Sequence, residues 1–287
     1  MTPRVSVVLV NYNAGAELAV ALRSIAAEVP GTDWEGIVVD NASSDGSDDI
    51  VAEFAPSAKL LRNDRNLGFA KAVNQGIAQT TAPLVLIMNP DCRLAPGAMT
   101  SLEAELAAYP ECAIVGPRTL NPDGSIQGSA RGDPDMLTGL FGRSTFLRRM
   151  FPDLSIAKRN VVTADALPAG VTSLVVDWVS GACMLARRGA MQKVGGFDER
   201  YFLYWEDADL CKRLRAVGYH VRYVPGATAI HRVGHSSQKV RASAIRAFHA
   251  SAYLYYATHV APRPLQPARL LARLLLSVRC WLSLRQA

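Results

Sequence analysis

The run VSVVLV (5 to 10) is apolar at all but one position and rich in β-branched residues, the pattern of a parallel strand covered on both faces. It stops at Asn11-Tyr12-Asn13 and Gly15, and residues 16 to 27 then read as a helix. GIVVD (36 to 40) predicts a second strand, closed by the turn-rich NASSDGSDD and a helix near 48 to 55. AKLLRN (58 to 63) predicts a third strand, GFAKAVNQGIAQT a helix, and PLVLIM (83 to 88) a fourth strand that ends in NPD. A helix over 96 to 108 and a strand over 112 to 116 complete the regular part. Strand and helix alternating at this spacing predict an α/β, Rossmann-like doubly wound sheet, mostly parallel. Ligands in such sheets bind at the carboxyl ends of the strands. Those ends carry Asn11, Asp40, Asn63 and Asp91, which predicts one polar edge.

Beyond 118 the pattern breaks. Residues 119 to 170 hold Gly and Pro throughout and no firm period, as expected of a mobile functional loop. Regularity returns at SLVVDWVSGACMLARR (173 to 188), a strand pair or a strand with a small-residue bend. The turn VGGFDE, a helix to about Val217 and the strand HVRYVP follow. At 100° per residue, Leu271, Leu274, Leu275, Val278, Trp281 and Leu282 share one face of a final helix, with Arg269 and Arg273 opposite.

Composition narrows the classes. An apolar content of 49% with 20% charged residues excludes a disordered chain, and no run reaches the roughly eighteen apolar residues of a membrane span. VSVVLV is too short for a signal-peptide core and no small-residue cleavage site follows it, so a cytoplasmic chain is expected. Its five cysteines are odd in number, sit in apolar contexts and lack metal-ligand spacing, which predicts buried thiols. The net charge of +6 is concentrated in 139 to 160 and after 262, where the last segment has five arginines and no acid. Such ends attract nucleotide phosphates, nucleic acid or anionic lipid.

Candidate chemistry is concentrated in YFLYWEDADLCKRL (201 to 214). Asp209 suits a first helical turn and an i, i+4 pair with Arg213. Glu206 and Asp207 follow Tyr201, Phe202, Tyr204 and Trp205, which would partly desolvate them. Asp91 ends an apolar strand behind a proline, either as a turn and cap signal or as a metal carboxylate. His231 lies after a strand, with His235 and Gly-Ser-Ser nearby suiting an anion-facing loop. In RNLGFAKAVNQG (65 to 76), Gly68 permits close backbone approach, and Asn66 and Asn74 offer amides to a base or ribose. No dinucleotide fingerprint, P-loop, nucleophile elbow or H-E-x-x-H is present.

Taken in order, VSVVLVNYN, VVDNASSDGS, NLGFAKAVNQG, LIMNPDCRL, DWVSGACMLARR, VGGFDERYFLYWEDADLCKRLRAVGY and HRVGHSS resemble the inverting family 2 glycosyltransferases of the GT-A fold. The likeness is greatest to bacterial rhamnosyltransferases and their galactofuranosyl relatives, and it covers roughly residues 4 to 237. It implies a transferase domain over 1 to 240, made of a nucleotide-binding half (1 to 118), the loop region (119 to 170) and an acceptor and catalytic half (171 to 240). A basic amphipathic extension, 241 to 287, completes the chain. The resemblance implies a nucleotide site of Asn11, Tyr12, Asn13, Asp40, Asn66, Gly68, Asn74 and Asn89. Asp91 stands where such enzymes keep the last acid of a D-x-D motif, with Asn89 in place of the first. His231 falls where galactofuranosyl relatives place a metal-binding histidine, and the pair implies Mg²⁺ or Mn²⁺. Asp207 is implied as general base with Glu206 beside it, and Trp205, Tyr204, Asp198 and Gly181 as acceptor contacts. The implied reaction moves a sugar, foremost L-rhamnose from dTDP-rhamnose, to a glycan or polyprenyl-linked glycan for cell-surface polysaccharide; UDP-linked galactofuranose, galactose or N-acetylglucosamine are the alternatives.

A nucleotidyltransferase would need a glycine-rich basic loop, and NYNAGAEL has one interior glycine and no Lys or Arg. A nucleic-acid-binding protein lacks any recognised module, so no nucleic-acid partner is expected. A catalytically silent nucleotide-binding scaffold has no sequence mark against it. The final helix is left with two readings: packing on the domain or in a homodimer, or peripheral docking on the cytosolic face of a membrane.

Overall fold

The structure is a computed structural model, and it describes residues 3–31, 33–54, 57–134, 161–162, 171–232, 241–263 and 267–286. Most of the predicted loop region, including the basic stretch 139 to 160, and the loop with His235 lie outside the described residues.

The first half follows the predicted alternation. Strand β1 (Val5–Asn11), helix α1 (Glu17–Glu28), strand β2 (Trp34–Asp40), a 3₁₀ helix (Ser47–Phe54), β3 (Ala58–Arg62), α2 (Phe69–Ala78) and β4 (Leu84–Met88) run in order. A short β5 (Cys92–Leu94) precedes α3 (Ala98–Ala108) and β6 (Cys112–Leu120). Strands β3, β2, β1 and β4 are parallel neighbours in that order.

Strand β1 shows why its sequence is so uniformly apolar. Successive side chains point to opposite faces. Val5, Val7 and Leu9 enter a core with Leu18, Leu22 and Ile25 of α1 and with Met99 and Leu102 of α3. Val8 and Val10 enter a second core with Val73 and Ile77 of α2. Both faces are covered, so neither can be polar. Ser6, the one break in the run, is fully buried and donates to Glu35 Oε1 while accepting from Ala82 N at 3.1 Å.

The second half was less legible. Short strands β7 (Ile126–Gln127), β8 (Ala130–Arg131), β9 (Val161–Val162), β10 (Leu174–Val176) and β11 (Trp178–Val179) lead to β12 (Cys183–Arg187). Helix α4 (Arg188–Lys193), helix α5 (Glu206–Ala216), strand β13 (His220–His231), α6 (Arg241–Tyr255) with a π-helical end (Tyr256–Val260), and α7 (Pro267–Arg285) complete the chain. The main sheet runs β10-β13-β6-β12-β4-β1-β2-β3.

Two pairings in it position the site. Strand β12 runs antiparallel to β4, with Cys183 opposite Met88. The start of β12 therefore lies beside the end of β4, and the turn Ser180-Gly181-Ala182 joins the polar edge. Strand β13 runs parallel to β6, breaks register between Val224 and Thr228, then pairs antiparallel with β5, His231 opposite Cys92. That second pairing carries His231 to Asp91.

Cys92, Cys112, Cys183 and Cys211 are buried free thiols, and Cys280 is half-buried. Among the described residues no helix is long and apolar enough to cross a membrane.

Candidate active site

At the carboxyl ends of β1 and β2, Asn11 and Asp40 face each other rather than solvent. Asn11 Nδ2 donates to Asp40 Oδ1 at 2.7 Å and to Ser47 Oγ at 2.8 Å. Asp40 Oδ2 accepts from Ser43 N at 2.9 Å. Asn13, at φ 54°, accepts from Ser44 N and donates its own N–H to Ser43 Oγ. The two loops are thus cross-braced, which leaves Tyr12 and Asn13 half-buried at the rim of the edge.

The neighbouring loop is tied down just as firmly. Asn66 Oδ1 accepts from Gly68 N, and Asn41 Nδ2 donates to Gly68 O. Gly68 sits at φ +86°, and a Cβ there would lie 2.5 Å from Phe202 O. Its glycine is needed for the approach of another strand of backbone, since Phe69 N donates to Phe202 O at 2.7 Å. Asn74 spends its amide on the backbone of Phe197, donating to its O at 2.8 Å and accepting from its N at 2.9 Å. Gly68 and Asn74 therefore join the N-terminal half of the sheet to the segment that precedes α5.

Asn89, Asp91 and His231 do come together. His231 Nε2 lies 3.2 Å from Asp91 Oδ1 and 3.3 Å from Asn89 Nδ2. The other ring nitrogen, Nδ1, is 3.0 Å from Gln127 Oε1, and Gln127 Nε2 donates to His231 O at 2.7 Å and to Asn121 Oδ1. With the Gln127 amide fixed in that way, its oxygen faces Nδ1 as an acceptor, and Nε2 is the ring nitrogen turned toward Asp91. A neutral Nε2 and the Asp91 carboxylate at 3.2 Å are spaced as two ligands of one divalent cation, and a protonated Nε2 would instead donate to the same oxygen. A carboxylate with one imidazole fits Mn²⁺ or Mg²⁺, the few protein ligands leaving positions for diphosphate oxygens and water. Among the described residues no group of three or more His, Cys, Asp or Glu forms a cage of its own.

The third element is the start of α5. Tyr204 and Trp205 both adopt left-handed backbone, at φ 69° and 71°. For bulky residues each such conformation costs about 1 to 3 kcal/mol and persists only where packing enforces it. Here the packing comes from α6: Phe248 lies 5.8 Å from the Tyr204 ring and 6.0 Å from Trp205, and Tyr255 is 5.3 Å from Trp205. The kink delivers Asp207 to the edge, where Oδ2 accepts from Gly181 N at 2.9 Å and Oδ1 from Ala208 N at 2.8 Å. Asn89 N bonds Ala182 O at 2.9 Å, so the same turn that holds Asp207 also holds the Asn89–Asp91 segment.

Glu206 differs from its neighbour. It is 5% exposed, and burial, reinforced by the charge of Asp207, raises its pKa well above the ordinary 4.5. The desolvation expected of the aromatic run falls on this carboxyl. Because the native state holds the proton more tightly than the unfolded chain, the Glu206 contribution to stability declines as pH rises from about 4.5 toward its folded pKa. Glu206→Gln is therefore expected to match the parent in denaturation midpoint near pH 4 and to exceed it at pH 8. A variant less stable than the parent at pH 8 would contradict this assignment.

Asp209, fully buried, pairs with Arg213 at 2.7 Å as the spacing predicted. It is also bonded at 2.7 Å by His259 Nε2, from the π-helical end of α6. Asp198 lies apart, in a two-pronged pair with Arg200 that holds its carboxyl below the usual range. His259, Gln127, Phe248 and Tyr255 escaped the sequence reading. They carry no local motif, and the fold alone brings them to the site.

This geometry has relatives. Residues 6–156 match the model described as glycosyl transferase family 2, and residues 84–250 match glycosyl transferase family group 2. The N-acetylglucosaminyl-diphospho-decaprenol L-rhamnosyltransferase of Mycobacterium tuberculosis is 35% identical over 272 residues, 90% of this chain and 85% of its own. Rhamnosyltransferase WbbL of Escherichia coli is 42% identical over 83 residues, 29% of this chain and 31% of its own. The mannosyltransferase PcManGT of Pyrobaculum calidifontis, solved with GDP-Man and Mn²⁺, superposes with a TM-score of 0.60 at 18% identity over 99% of this chain and 73% of its own. GalNAc-T7 with UDP, GalNAc and Mn²⁺ gives 0.63 at 16% identity, over 95% of this chain and 54% of its own. The strand-end edge, its paired polar loops and these matches over most of its length agree: the chain belongs to glycosyltransferase family 2 and has the GT-A fold, close to the rhamnosyltransferases.

Proposed function

We propose that this chain transfers L-rhamnose from dTDP-rhamnose, with inversion, to a hydroxyl of a polyprenyl-linked glycan used in cell-surface polysaccharide. The carrying observation is that Asp207, on Gly181 N, shares one sheet edge with the Asp91–His231 pair. Support for the sugar and the acceptor comes from the mycobacterial relative, an N-acetylglucosaminyl-diphospho-decaprenol L-rhamnosyltransferase.

An inverting transfer is one displacement at the anomeric carbon. The acceptor oxygen forms the new bond as the bond to the diphosphate breaks, and its electron pair leaves with the nucleotide. Asp207 takes the acceptor proton. Its carboxylate is fixed by two backbone N–H groups, so it meets the hydroxyl with little reorganisation. Glu206, kept protonated by burial, leaves Asp207 as the charged member of the pair. Asn11 and Asp40 brace the Tyr12–Asn13 rim on which base and ribose lie. Asp91 and His231 would hold a divalent cation, whose chemistry is to neutralise charge on the diphosphate. Trp205 and Tyr204, backed by Phe248, form the acceptor wall.

The test is release of nucleoside diphosphate from dTDP-rhamnose, UDP-galactofuranose, UDP-galactose, UDP-N-acetylglucosamine and GDP-mannose with a prenyl-diphosphate glycan acceptor. Turnover of dTDP-rhamnose above the others is expected. Turnover confined to a UDP or GDP sugar would overturn the donor assignment, and turnover of none would return the chain to a nucleotide-binding scaffold.

A further inference from the structure

An amphipathic helix on a folded domain ordinarily turns its apolar face inward. Helix α7 does the reverse. Its two buried residues are Ala272 and Leu276; Leu276 packs with Ala252 and Tyr253 of α6, and Arg273 and Arg279 lie over the Tyr253 and Phe248 rings of that helix. Leu270, Leu271, Leu274, Leu275, Val278, Trp281 and Leu282 form a continuous outward face, each between 40% and 73% exposed. Seven large apolar side chains in one row make a contiguous patch of the kind that marks an interaction surface.

We propose that this face is a docking surface for an anionic lipid bilayer. The charge of the segment selects that occupant. Residues 241 to 287 contain no Asp or Glu; Arg246, Arg263, Arg273 and Arg285 are exposed, and Arg285 lies against Trp281 within the patch. A second copy brought face to face would set these cations against one another, whereas anionic headgroups neutralise them. Trp281 and Arg285 lie together at one end, the guanidinium 3.8 Å from the ring centre, a pairing suited to the headgroup level. At about 1.5 Å per residue the 19-residue helix spans about 28 Å, and its inner side stays on protein, so it lies in the plane of the interface.

The docking surface connects to the site through α6. Arg279 of α7 lies over the Phe248 ring, and Phe248 packs on Tyr204 and Trp205. A bilayer against α7 therefore lies on the acceptor side, where a prenyl-linked substrate emerges from the lipid. This deepens the proposed use of a lipid-linked acceptor, but vesicle binding is read without turnover, so the two can fail separately.

The experiment is cosedimentation of the full chain with phosphatidylglycerol–phosphatidylcholine vesicles and with phosphatidylcholine alone, alongside sedimentation equilibrium without lipid. The parent is expected to bind the anionic vesicles preferentially and less strongly at about 1 M salt, where the screening length is about 3 Å. The triple variant Leu274→Ser/Val278→Ser/Trp281→Ser, all exposed positions, should keep the parent's denaturation midpoint and bind the anionic vesicles at least roughly tenfold more weakly. Equal partitioning of variant and parent would overturn the proposal. So would a parent that ignores vesicles and instead forms a dimer that the variant dissolves.

Discussion

Replacing Asp207 by Asn is expected to lower sugar transfer by about two to four powers of ten, the range of a lost general base. The substitution keeps shape but has one acceptor oxygen where the carboxylate uses two, so it keeps the bond from either Gly181 N or Ala208 N and loses the other; an unchanged denaturation midpoint is the control that the start of α5 holds its place. Nucleotide affinity should be unchanged by calorimetry, and the loss should appear in single-turnover transfer. A variant with near-parent turnover would remove Asp207 from the role of base. The contrast with Glu206 sharpens the test. Glu206 is buried and held protonated, so Glu206→Gln should retain most activity although it lies one residue away.

The second large effect is expected at Asp91. Asp91→Ala leaves His231 as the remaining charged or imidazole ligand among the described residues of that cluster. If a cation stabilises the departing diphosphate, its loss costs about 3 kcal/mol or more, roughly two powers of ten in rate. Excess EDTA should do the same to the parent, and Mn²⁺ or Mg²⁺ should restore it. Gln127→Leu should give a milder form, roughly 10- to 100-fold in metal affinity, because it removes the group that fixes the His231 tautomer. Full activity in EDTA would take the metal out of the reaction.

These experiments separate groups that adjoin one another. Asp207 and the Asn89–Asp91 segment are held by one turn, Ser180-Gly181-Ala182, through Gly181 N and Ala182 O. A substitution that unseats this turn would lower base and metal function together. Loss confined to transfer for Asp207, and to donor and metal binding for Asp91, would mark two independent roles.

The sequence by itself determined the parallel half of the sheet, because burial on both faces leaves a local trace. VSVVLV, GIVVD and PLVLIM can be covered on two sides and little else. It determined the polar edge for the same reason, since each apolar run stops at a named polar residue. It also placed the Asp209–Arg213 pair, which depends only on helical spacing. What lay beyond local pattern was how distant segments meet, which for Asp91 and His231 was implied by resemblance alone. The break of register in β13 that brings His231 to Asp91 leaves no periodic mark. Gln127 and His259 act through contacts 104 and 50 residues away in the chain. Gly68 and Asn74 read locally as ligand contacts, and their backbone partners at Phe202 and Phe197 become visible only once α2 packs beside the 197–202 segment. The two faces of α7 were legible in the sequence as well. Which of them turns outward was decided only in the tertiary structure, where Leu276 packs with Ala252 and Tyr253 of α6 and leaves the larger apolar face exposed, because the sequence of one helix does not contain the surface it packs against.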